Sequence, residues 1–402
     1  MNVYIVDAKR TAVGSLGKSL ATVPAADLGA QVVASLVEKH NLKSEDIAEV
    51  ISGNVLPATA GQGLGRQVAI KAGLDQSVCG HTVSMVCGSG VKSINNAFAM
   101  IQSGEAKLII AGGTENMSLA PYALPGARAG LKLGDTKMVD TLVFDALTDA
   151  YNGIHMGVTA ENIAREYGIT REMQDEFAFN SQQKALTAIE AGYFKDEIIP
   201  ITIKTRKQEI VFEVDEHPNA TTTLEKMAGL RPAFEKDGTV TAANASGIND
   251  GAAYAIIAND EMVEKYNFKP MAKIIATAQA GIDPKVMGLG PAFAIEKLLK
   301  KTDLKIDDIC LLELNEAFAA QSLGVVKEMA KIFNIKEEEI INKTNCCGGA
   351  IALGHPVGAS GARIVTTLVH QMKRLNKHYG IASLCIGGGM GIAVLVENLE
   401  YK

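Results

Sequence analysis

The sequence predicts an α/β protein that consists of two similar halves. At 402 residues the chain is long for one domain. Its first third alternates short runs rich in Val and Ile with amphipathic helical runs, which is typical of βαβ units around a parallel sheet. The last third repeats this order of elements, and such a repeat indicates an internal duplication. We therefore expect two βαβαβ halves.

The first half opens with a strand and then alternates helices and strands. Each strand is a short β-branched run, and each helix carries apolar residues at helical spacing. The predicted elements are VYIVDA from Val3, a helix from about Ala25 to Lys39, AEVISGNV from Ala48, a helix near Arg66, HTVSMV from His81, a helix that ends near Gly104, and KLIIAGG from Lys107.

Three segments of this half have counterparts in the last third, in the same order. The segment NLKSEDI from Asn41, followed by EVISGN, corresponds to DLKIDDI from Asp303, followed by LLELNE. CGSG at Cys87 corresponds to CGGA at Cys347, and LIIAGG at Leu108 corresponds to SLCIGG at Ser383. Duplicated halves pack around a pseudo-twofold axis, so equivalent strand ends and helix starts meet at one seam. We expect the functional site at that seam.

An inserted region separates the two halves. Residues 121–243 interrupt the alternation with Pro, Gly and long helices, and we interpret them as a subdomain over one end of the sheet. Its predicted elements are helices over 160–167 and 171–191 and polar strands around 198–214. The predicted first half is 1–120 with about 244–268, and the predicted second half is 269–402.

Composition excludes several classes of function. A net charge of −6 and the absence of Trp argue against nucleic-acid binding. The sequence has no apolar run long enough to cross a bilayer and no apolar leader, so we expect a cytoplasmic protein without membrane contact. The seven histidines are scattered and no CxxC pair occurs, so we expect no metal site. The six cysteines do not form a disulfide framework.

Cys87 is the candidate nucleophile. It lies where a strand gives way to a helix, and the adjacent glycines permit a tight turn. The helix start offers N–H groups and a positive dipole end, which are expected to lower the thiol pKa and to bind an oxyanion. A cysteine at a strand end is more often a small buried core residue. The glycines, the duplication and the partner residues favour the catalytic interpretation.

Three further residues are candidate partners of Cys87. His355 lies in a loop rich in Gly and Pro just before a helix predicted over 360–373. Cys385 ends the strand GIASLC and precedes a turn of three glycines. Asn315 and Glu316 end the strand LLEL and open the helix EAFAAQSL, where Asn has the alternative role of an N-cap.

Four motifs in this order resemble the thiolase family over essentially the whole chain. They are VCGSG at Val86, NEAFAAQS at Asn315, GGAIALGHPVGASGAR at Gly348 and CIGGGMG at Cys385. The resemblance implies a five-layer α-β-α-β-α arrangement of the two halves. It is greatest to the biosynthetic branch, whose members condense two acetyl-CoA molecules to acetoacetyl-CoA and CoA. It also suggests a homotetramer.

The resemblance implies a role for each motif residue. Cys87 would carry the acetyl group, His355 would accept its proton, and Cys385 would remove the α-proton of the second acetyl-CoA. His355 and a water on Asn315 would stabilise the enolate oxygen, and the N–H groups of Cys87 and Gly387 would bind the acyl carbonyl oxygen.

The family also suggests where coenzyme A thioesters bind as substrates, without a permanently bound cofactor. His155 and Met156 would line the pantetheine channel, Ser246 would hydrogen-bond it, and Met287 and Phe318 would border the acyl pocket. Lys226 is a candidate for the phosphates, with an exposed solubilising lysine as the alternative. Asn219 stands about where some relatives have an arginine at the adenine end.

Some positions depart from the family pattern. Many relatives have Asn and a basic residue where this chain has Ser84 and Met85, so pocket details could differ. Cys346 and Cys347 replace residues such as Val and Asn, and we expect both to pack in the core rather than to act in catalysis.

Four alternatives remain open at this point. A β-ketoacyl synthase would carry His or Asn where Cys385 stands, and a degradative thiolase for longer chains would have a wider acyl pocket near Met287 and Phe318. A non-catalytic acyl-CoA binding protein would lack part of the catalytic set. A reversible disulfide between Cys87 and Cys385 is a regulatory hypothesis.

Overall fold

The computed structural model describes residues 1–204 and 209–402. The elements up to residue 123 are β1 (Val3–Thr11), β2 (Gly14–Ser15), α1 (Ala25–Lys39), β3 (Glu49–Gly53), α2 (Leu64–Lys71), β4 (Cys79–Val83), α3 (Ser89–Gln102), β5 (Leu108–Asn116) and β6 (Tyr122–Ala123). The elements between residues 139 and 265 are β7 (Val139–Asp140), α4 (Met156–Tyr167), α5 (Arg171–Glu190), β8 (Ile198–Ile199), β9 (Ile201–Lys204), β10 (Glu209–Phe212), α6 (Leu224–Ala228), β11 (Asn249–Asn259) and α7 (Asp260–Lys265). The remaining elements are β12 (Ala272–Gly281), α8 (Gly290–Leu299), β13 (Ile309–Leu314), α9 (Ala319–Phe333), α10 (Glu337–Asn342), α11 (Ala350–Leu353), α12 (Val357–Arg374), β14 (Tyr379–Ile386) and β15 (Met390–Asn398).

The strand order confirms the duplication. The main sheet runs β13-β14-β15-β12-β1-β11-β5-β3-β4. Read outward from the centre, β1-β11-β5-β3 on one side corresponds to β12-β15-β14-β13 on the other, with two antiparallel pairings followed by a parallel one in each case. The halves join where β1 pairs with β12, at Tyr4 with Lys273 and Ile5 with Ala272.

Helices cover both faces of each half and form five layers. One core cluster joins α3 and α12 to strands of both halves, so these two helices form the central layer. A second cluster packs α1 and α2 on the outer face of the first half, and a third packs α8 and α9 on the outer face of the second half. The predicted α-β-α-β-α arrangement is confirmed.

The central layer depends on glycines at which α3 and α12 touch. A Cβ added at Gly90 would lie 2.5 Å from the backbone nitrogen of Ala362, and one added at Gly361 would lie 2.4 Å from that of Val91. Real Cβ atoms do not approach backbone so closely, so only glycine permits this contact. The contact brings the starts of α3 and α12 together, with Cys87 and His355 just before them.

Two predicted helix boundaries were wrong. Helix α4 begins at Met156 rather than 160, because His155 caps it by accepting the N–H of Gly157 at 3.0 Å. Helix α12 begins at Val357 rather than 360, directly after Pro356, which is a usual place for a helix to start.

The inserted region contributes α4, α5 and a hairpin of β9 and β10. The predicted polar strands around 198–214 correspond to β8, β9 and β10, and residues 205–208 of that prediction lie outside the described residues. No helix within the described ranges is both long and apolar enough to cross a membrane.

Candidate active site

The turn before α3 holds Cys87 in a strained backbone. Val86 has a φ of 45°, a left-handed conformation that a β-branched residue rarely adopts. The Ser89 hydroxyl fixes the turn, because it accepts the N–H of Met85 at 2.8 Å and donates to the carbonyl of Val86 at 2.7 Å. The position of the thiol is therefore set by the folded chain before any substrate arrives.

The thiol of Cys87 meets the second half of the molecule. The backbone N–H groups of Gly387, just after β14, and of Cys87 itself favour the thiolate form of this sulfur. Burial nevertheless raises the pKa of Cys87 from 9.0 to about 11. The expectation that the helix start lowers this pKa was wrong, because desolvation of the thiolate outweighs the two N–H groups. At neutral pH the free thiol keeps its proton and needs a base.

His355 is held as the tautomer that such a base requires. Its backbone N–H donates to Asn249 Oδ1 at 2.9 Å and fixes the loop, and the ring Nδ1 lies 2.6 Å from the Ser360 hydroxyl oxygen. That hydroxyl donates its only hydrogen to the carbonyl of Pro356 at 2.8 Å. Ser360 must then accept from Nδ1–H, which leaves the lone pair on Nε2.

The electrostatics of His355 keep this imidazole neutral. Burial, and then the positive charge of Arg363, lower its pKa from 6.5 to about 3. The Nε2 atom is buried and has no hydrogen-bond partner among the described residues. A neutral ring with an uncommitted acceptor has the lone pair that a general base needs, and its low pKa makes that base a weak one.

Cys385 lies in β14, one residue before the end of the strand. It is buried, and burial followed by the nearby Cys87 raises its pKa above the usual range. All six cysteines are free thiols. The structure thus brings Cys87, Cys385 and Gly387 close together at the seam.

The carboxamide of Asn315 is buried beside the end of β13. Its backbone N–H donates to the carbonyl of Ser383 at 3.0 Å. Within residues 1–204 and 209–402, neither its Oδ1 nor its Nδ2 has a hydrogen-bond partner in the protein. A buried amide in this state is able to hold a water or a substrate oxygen.

The prediction that Asn315 and Glu316 open the next helix was wrong. Helix α9 begins at Ala319, and Asn315 does not cap it. The Glu316 carboxylate instead accepts from the Ser181 hydroxyl at 2.7 Å and from Asn345 Nδ2 at 2.8 Å. These long-range contacts keep the segment extended, and residue pattern alone does not reveal them.

Three aromatic rings, joined by two ring contacts, lie at the predicted coenzyme channel. The ring of His155 stacks on Phe234 at a centroid distance of 4.6 Å, and Phe234 meets Phe318 edge to face at 6.0 Å. His155 and Phe318 were predicted from the motifs, whereas Phe234 was missed because the inserted region around it carries no recognised pattern.

The predicted apolar contacts share one cluster with the second cysteine. Met156, Met287, Phe318 and Cys385 all belong to it and are buried. A Cβ added at Gly387 would lie 3.4 Å from the sulfur of Met156, so this side chain borders the oxyanion site. The apolar residues therefore form one buried group that includes Cys385 and reaches Gly387.

Ser246 lines an open cavity of about 760 Å³, together with Phe234, Asn219 and Lys18. Lys226 is exposed and donates to the carbonyl of Thr221 at 2.8 Å. Asn219 accepts the N–H of Thr221 at 2.9 Å, so Lys226 is connected to the cavity rim through this turn. Lys18 is a positively charged residue that lines this cavity, and the sequence analysis did not single it out.

Sequence reasoning also missed Glu115, at the end of β5. Its carboxylate accepts from the backbone N–H of Val55 at 2.8 Å, of Leu56 at 3.2 Å and of Gly358 at 3.0 Å, and from Asn54 Nδ2 at 2.7 Å. Glu115 thus ties the start of α12, next to His355, to the first half. The only sequence signal was an acidic residue in the polar end, TEN, of a strand whose first six residues are apolar.

Comparison with known proteins identifies the family. The family model described as "Thiolase, N-terminal domain" matches residues 3–261, and the model described as "Thiolase, C-terminal domain" matches residues 268–398. The chain belongs to the thiolase family.

Its relatives are similar over their full lengths. The acetyl-CoA acetyltransferase of Escherichia coli K12 is 52% identical over 400 residues, which are 99% of this chain and 100% of that protein. A crystal structure of the Bacillus anthracis acetyl-CoA acetyltransferase superposes with a TM-score of 0.95 at 45% identity and 99% coverage of both chains. The human mitochondrial 3-ketoacyl-CoA thiolase superposes with a TM-score of 0.93 at 43% identity, again over 99% of both chains.

Proposed function

We propose that this protein is an acetyl-CoA C-acetyltransferase. It would condense two acetyl-CoA molecules reversibly to acetoacetyl-CoA and CoA, by a ping-pong mechanism with an acetyl group on Cys87. The names of the full-length relatives support this assignment over a degradative 3-ketoacyl-CoA thiolase and over a non-catalytic binding protein. The structural observation that carries it is the N–H of Gly387 directed at the Cys87 sulfur across the seam.

In the first half-reaction Cys87 attacks the thioester carbon and His355 Nε2 takes its proton. The two pKa values, about 11 and about 3, mean that the uncharged pair is the resting state. The proton therefore moves as the sulfur attacks rather than before. Negative charge develops on the thioester oxygen, and the N–H groups of Cys87 and Gly387 stabilise it. The tetrahedral adduct then collapses, the C–S bond to CoA breaks, and Cys385 gives its proton to the leaving CoA sulfur, which leaves Cys385 as the thiolate.

In the second half-reaction Cys385 removes the α-proton of another acetyl-CoA. Its raised pKa makes the thiolate a strong base once it forms. The enolate oxygen would be bound by His355 and by a water on the Asn315 carboxamide, whose two polar atoms are buried. The enolate carbon then attacks the acetyl carbon and the bond to the Cys87 sulfur breaks. That sulfur takes back the proton held by His355, and the product leaves as acetoacetyl-CoA.

The inserted residues 121–243 would bind most of the coenzyme. His155, Met156 and Phe234 border the pantetheine channel, and Ser246 offers its hydroxyl in the open cavity. The phosphates would lie near Lys226 and Lys18. Met287 and Phe318 limit the acyl pocket, since both are buried against Cys385.

We further propose that the enzyme is a cytoplasmic homotetramer. Exposed apolar side chains concentrate at 119–144 in the inserted region, including Leu119, Tyr122, Leu133, Met138 and Phe144. Such a patch is characteristic of a surface that another subunit covers. Sedimentation analysis of the purified protein tests this assembly.

The substrate assignment is tested by thiolysis with CoA. Purified enzyme is compared on acetoacetyl-CoA and on 3-ketohexanoyl-CoA and 3-ketooctanoyl-CoA. We expect kcat/KM to fall at least about tenfold for the longer chains, because added methylenes meet the buried Met287 and Phe318. Equal or higher kcat/KM for the longer substrates would favour the degradative thiolase, and no activity on any of them would favour a binding protein.

A further inference from the structure

Cys346 and Cys347 form an adjacent pair of thiols outside the candidate active site. Their sulfur atoms are 3.9 Å apart. Cys347 is fully buried, as predicted, whereas Cys346 is only half-buried and lines a cavity of about 480 Å³. One thiol is therefore accessible to small solutes, and the other lies directly behind it.

Two cations lie close to this pair. Arg374 Nη2 donates to the sulfur of Cys347 at 3.8 Å, and its guanidinium is fixed over the ring of Tyr193 at 3.7 Å from the centroid. Lys184 donates to the carbonyl of Thr344, two residues before Cys346, at 3.2 Å. The hydrogen bond from Cys347 is the largest influence on Cys346, and with both cations it lowers the Cys346 pKa from 9.0 to about 7 against the effect of burial.

Carboxyl groups also face the pair, but their charge is reduced. Glu313 on β13 is buried, and burial raises its pKa well above 4.5. Burial likewise raises the pKa of Glu316, which lines the same cavity as Cys346. Negative charge that would oppose a thiolate is thereby diminished, and the cations prevail.

We propose that Cys346 is a modification site for hydroperoxides and that Cys347 resolves the product. The Cys346 thiolate attacks one peroxide oxygen, the O–O bond breaks, sulfur is oxidised to a sulfenic acid, and the peroxide is reduced to water or an alcohol. The Cys347 sulfur then attacks the sulfenic sulfur, the S–O bond breaks, water leaves with the Cys347 proton, and a disulfide joins the two residues.

This disulfide would act on the candidate active site from a distance. The Asn345 side chain accepts the N–H of Leu314 at 2.9 Å and donates to the carbonyl of Leu314 at 2.7 Å. Leu314 directly precedes Asn315. Closing the sulfurs from 3.9 Å to a bond of about 2 Å must move the adjacent turn. Given the proposed function, oxidation is expected to lower thiolysis activity without consuming Cys87.

The test treats the purified enzyme with a small excess of hydrogen peroxide and then blocks free thiols with N-ethylmaleimide. Peptide mass mapping is expected to show a dithiothreitol-reversible loss of two hydrogens within the peptide that holds Cys346 and Cys347. With dimedone present, Cys347→Ser should accumulate a sulfenic-acid adduct at Cys346, whereas Cys346→Ser should show none at Cys347. Circular dichroism checks that both variants fold.

The exposed thiol of Cys79 is the matched reference. At pH 7.5 iodoacetamide should modify Cys346 at least about tenfold faster than Cys79, since most of a thiol with a pKa near 7 is ionised there. Equal rates, or a peroxide-induced disulfide found only between Cys87 and Cys385, would overturn the proposal. The mass readout does not depend on the assigned reaction, so a failure here is separable from a failure of the proposed function.

Discussion

The two duplicated turns at Cys87 and Cys347 differ in what covers them. The turn before α3 is fixed locally by Ser89 and faces the other half, where a Cβ added at Gly88 would lie 2.4 Å from Ile386. The turn before α11 is covered by α5 of the inserted region, where a Cβ added at Gly348 would lie 2.6 Å from the carbonyl oxygen of Ser181.

This difference indicates how a duplicated fold comes to have one active site. The turn at Cys87 follows β4, the turn at Cys347 follows α10 and an isolated bridge at Thr344, and each presents a cysteine and glycines. Each half places a buried carboxylate nearby, Glu115 in one and Glu316 in the other. Helix α5 packs over Cys347, which is fully buried, whereas Cys87 is only half-buried. The insertion, rather than the repeated motif, therefore determines which of the two thiols is accessible.

The largest expected effect separates the two cysteines directly. Cys87→Ala should lower kcat for acetoacetyl-CoA thiolysis by at least about 10³-fold, because no other nucleophile replaces the thiol. Cys347→Ala removes one buried atom and should leave kcat within about threefold, with a stability loss of about 1 kcal/mol. Steady-state kinetics and thermal unfolding of both variants measure this contrast, and comparable losses of kcat would remove the distinction.

The second prediction concerns how the thiols of Cys87 and Cys346 become ionised. In His355→Asn the iodoacetamide reactivity of Cys87 at pH 7.5 should fall about 10²-fold, because a buried thiol with a pKa near 11 has lost its base. Its rate should then keep rising with pH up to about 11. Cys346 is the internal control and should react unchanged, since its pKa is lowered by the hydrogen bond from Cys347 and then by Arg374 and Lys184, and not by His355. Unchanged Cys87 reactivity in the variant would contradict the assigned base.

A smaller effect is expected from Ser360, which positions His355. Ser360→Ala removes the acceptor of Nδ1–H, so the ring can adopt the other tautomer, and kcat/KM should fall about tenfold. Ser360→Thr keeps the hydroxyl and should restore most of it. The pH profile of kcat/KM distinguishes this role from general destabilisation, since the basic group should titrate differently in the Ala variant only. An identical profile with normal kcat/KM would refute it.

The sequence predicted the duplication, the seam between the two halves, and the candidate residues Cys87, Asn315, His355 and Cys385. These predictions depend on local pattern. The sequence did not reveal the raised pKa of Cys87, which results from burial by residues distant in the chain. Phe234 and Glu115 were missed for the same reason: their roles come from packing against other segments. The start of α9 was misplaced because Glu316 is held by Ser181 and Asn345, not by its neighbours in sequence.

The last prediction concerns stability rather than catalysis and compares the buried carboxylates. Burial raises the Glu115 pKa from 4.5 to about 7, so between these pH values the folded protein holds a proton that the unfolded chain has released. Its contribution to stability is complete below about pH 4.5 and is lost as pH rises to about 7, a change of about 3 kcal/mol at most. Glu115→Gln should remove this part of the pH dependence of the thermal midpoint. Glu316→Gln should act in the same direction, and an unchanged pH dependence in both would contradict the assignment.

The most direct test of the account is to locate the acyl group. The enzyme is incubated with acetyl-CoA, quenched in acid and analysed by intact mass and peptide mapping. We predict one acetyl group on the peptide that holds Cys87, none on the peptide with Cys346 and Cys347, and no acetylation in Cys87→Ala. Acetylation at Cys347, or thiolysis that persists in Cys87→Ala, would contradict the claim that the uncovered turn alone is the active site.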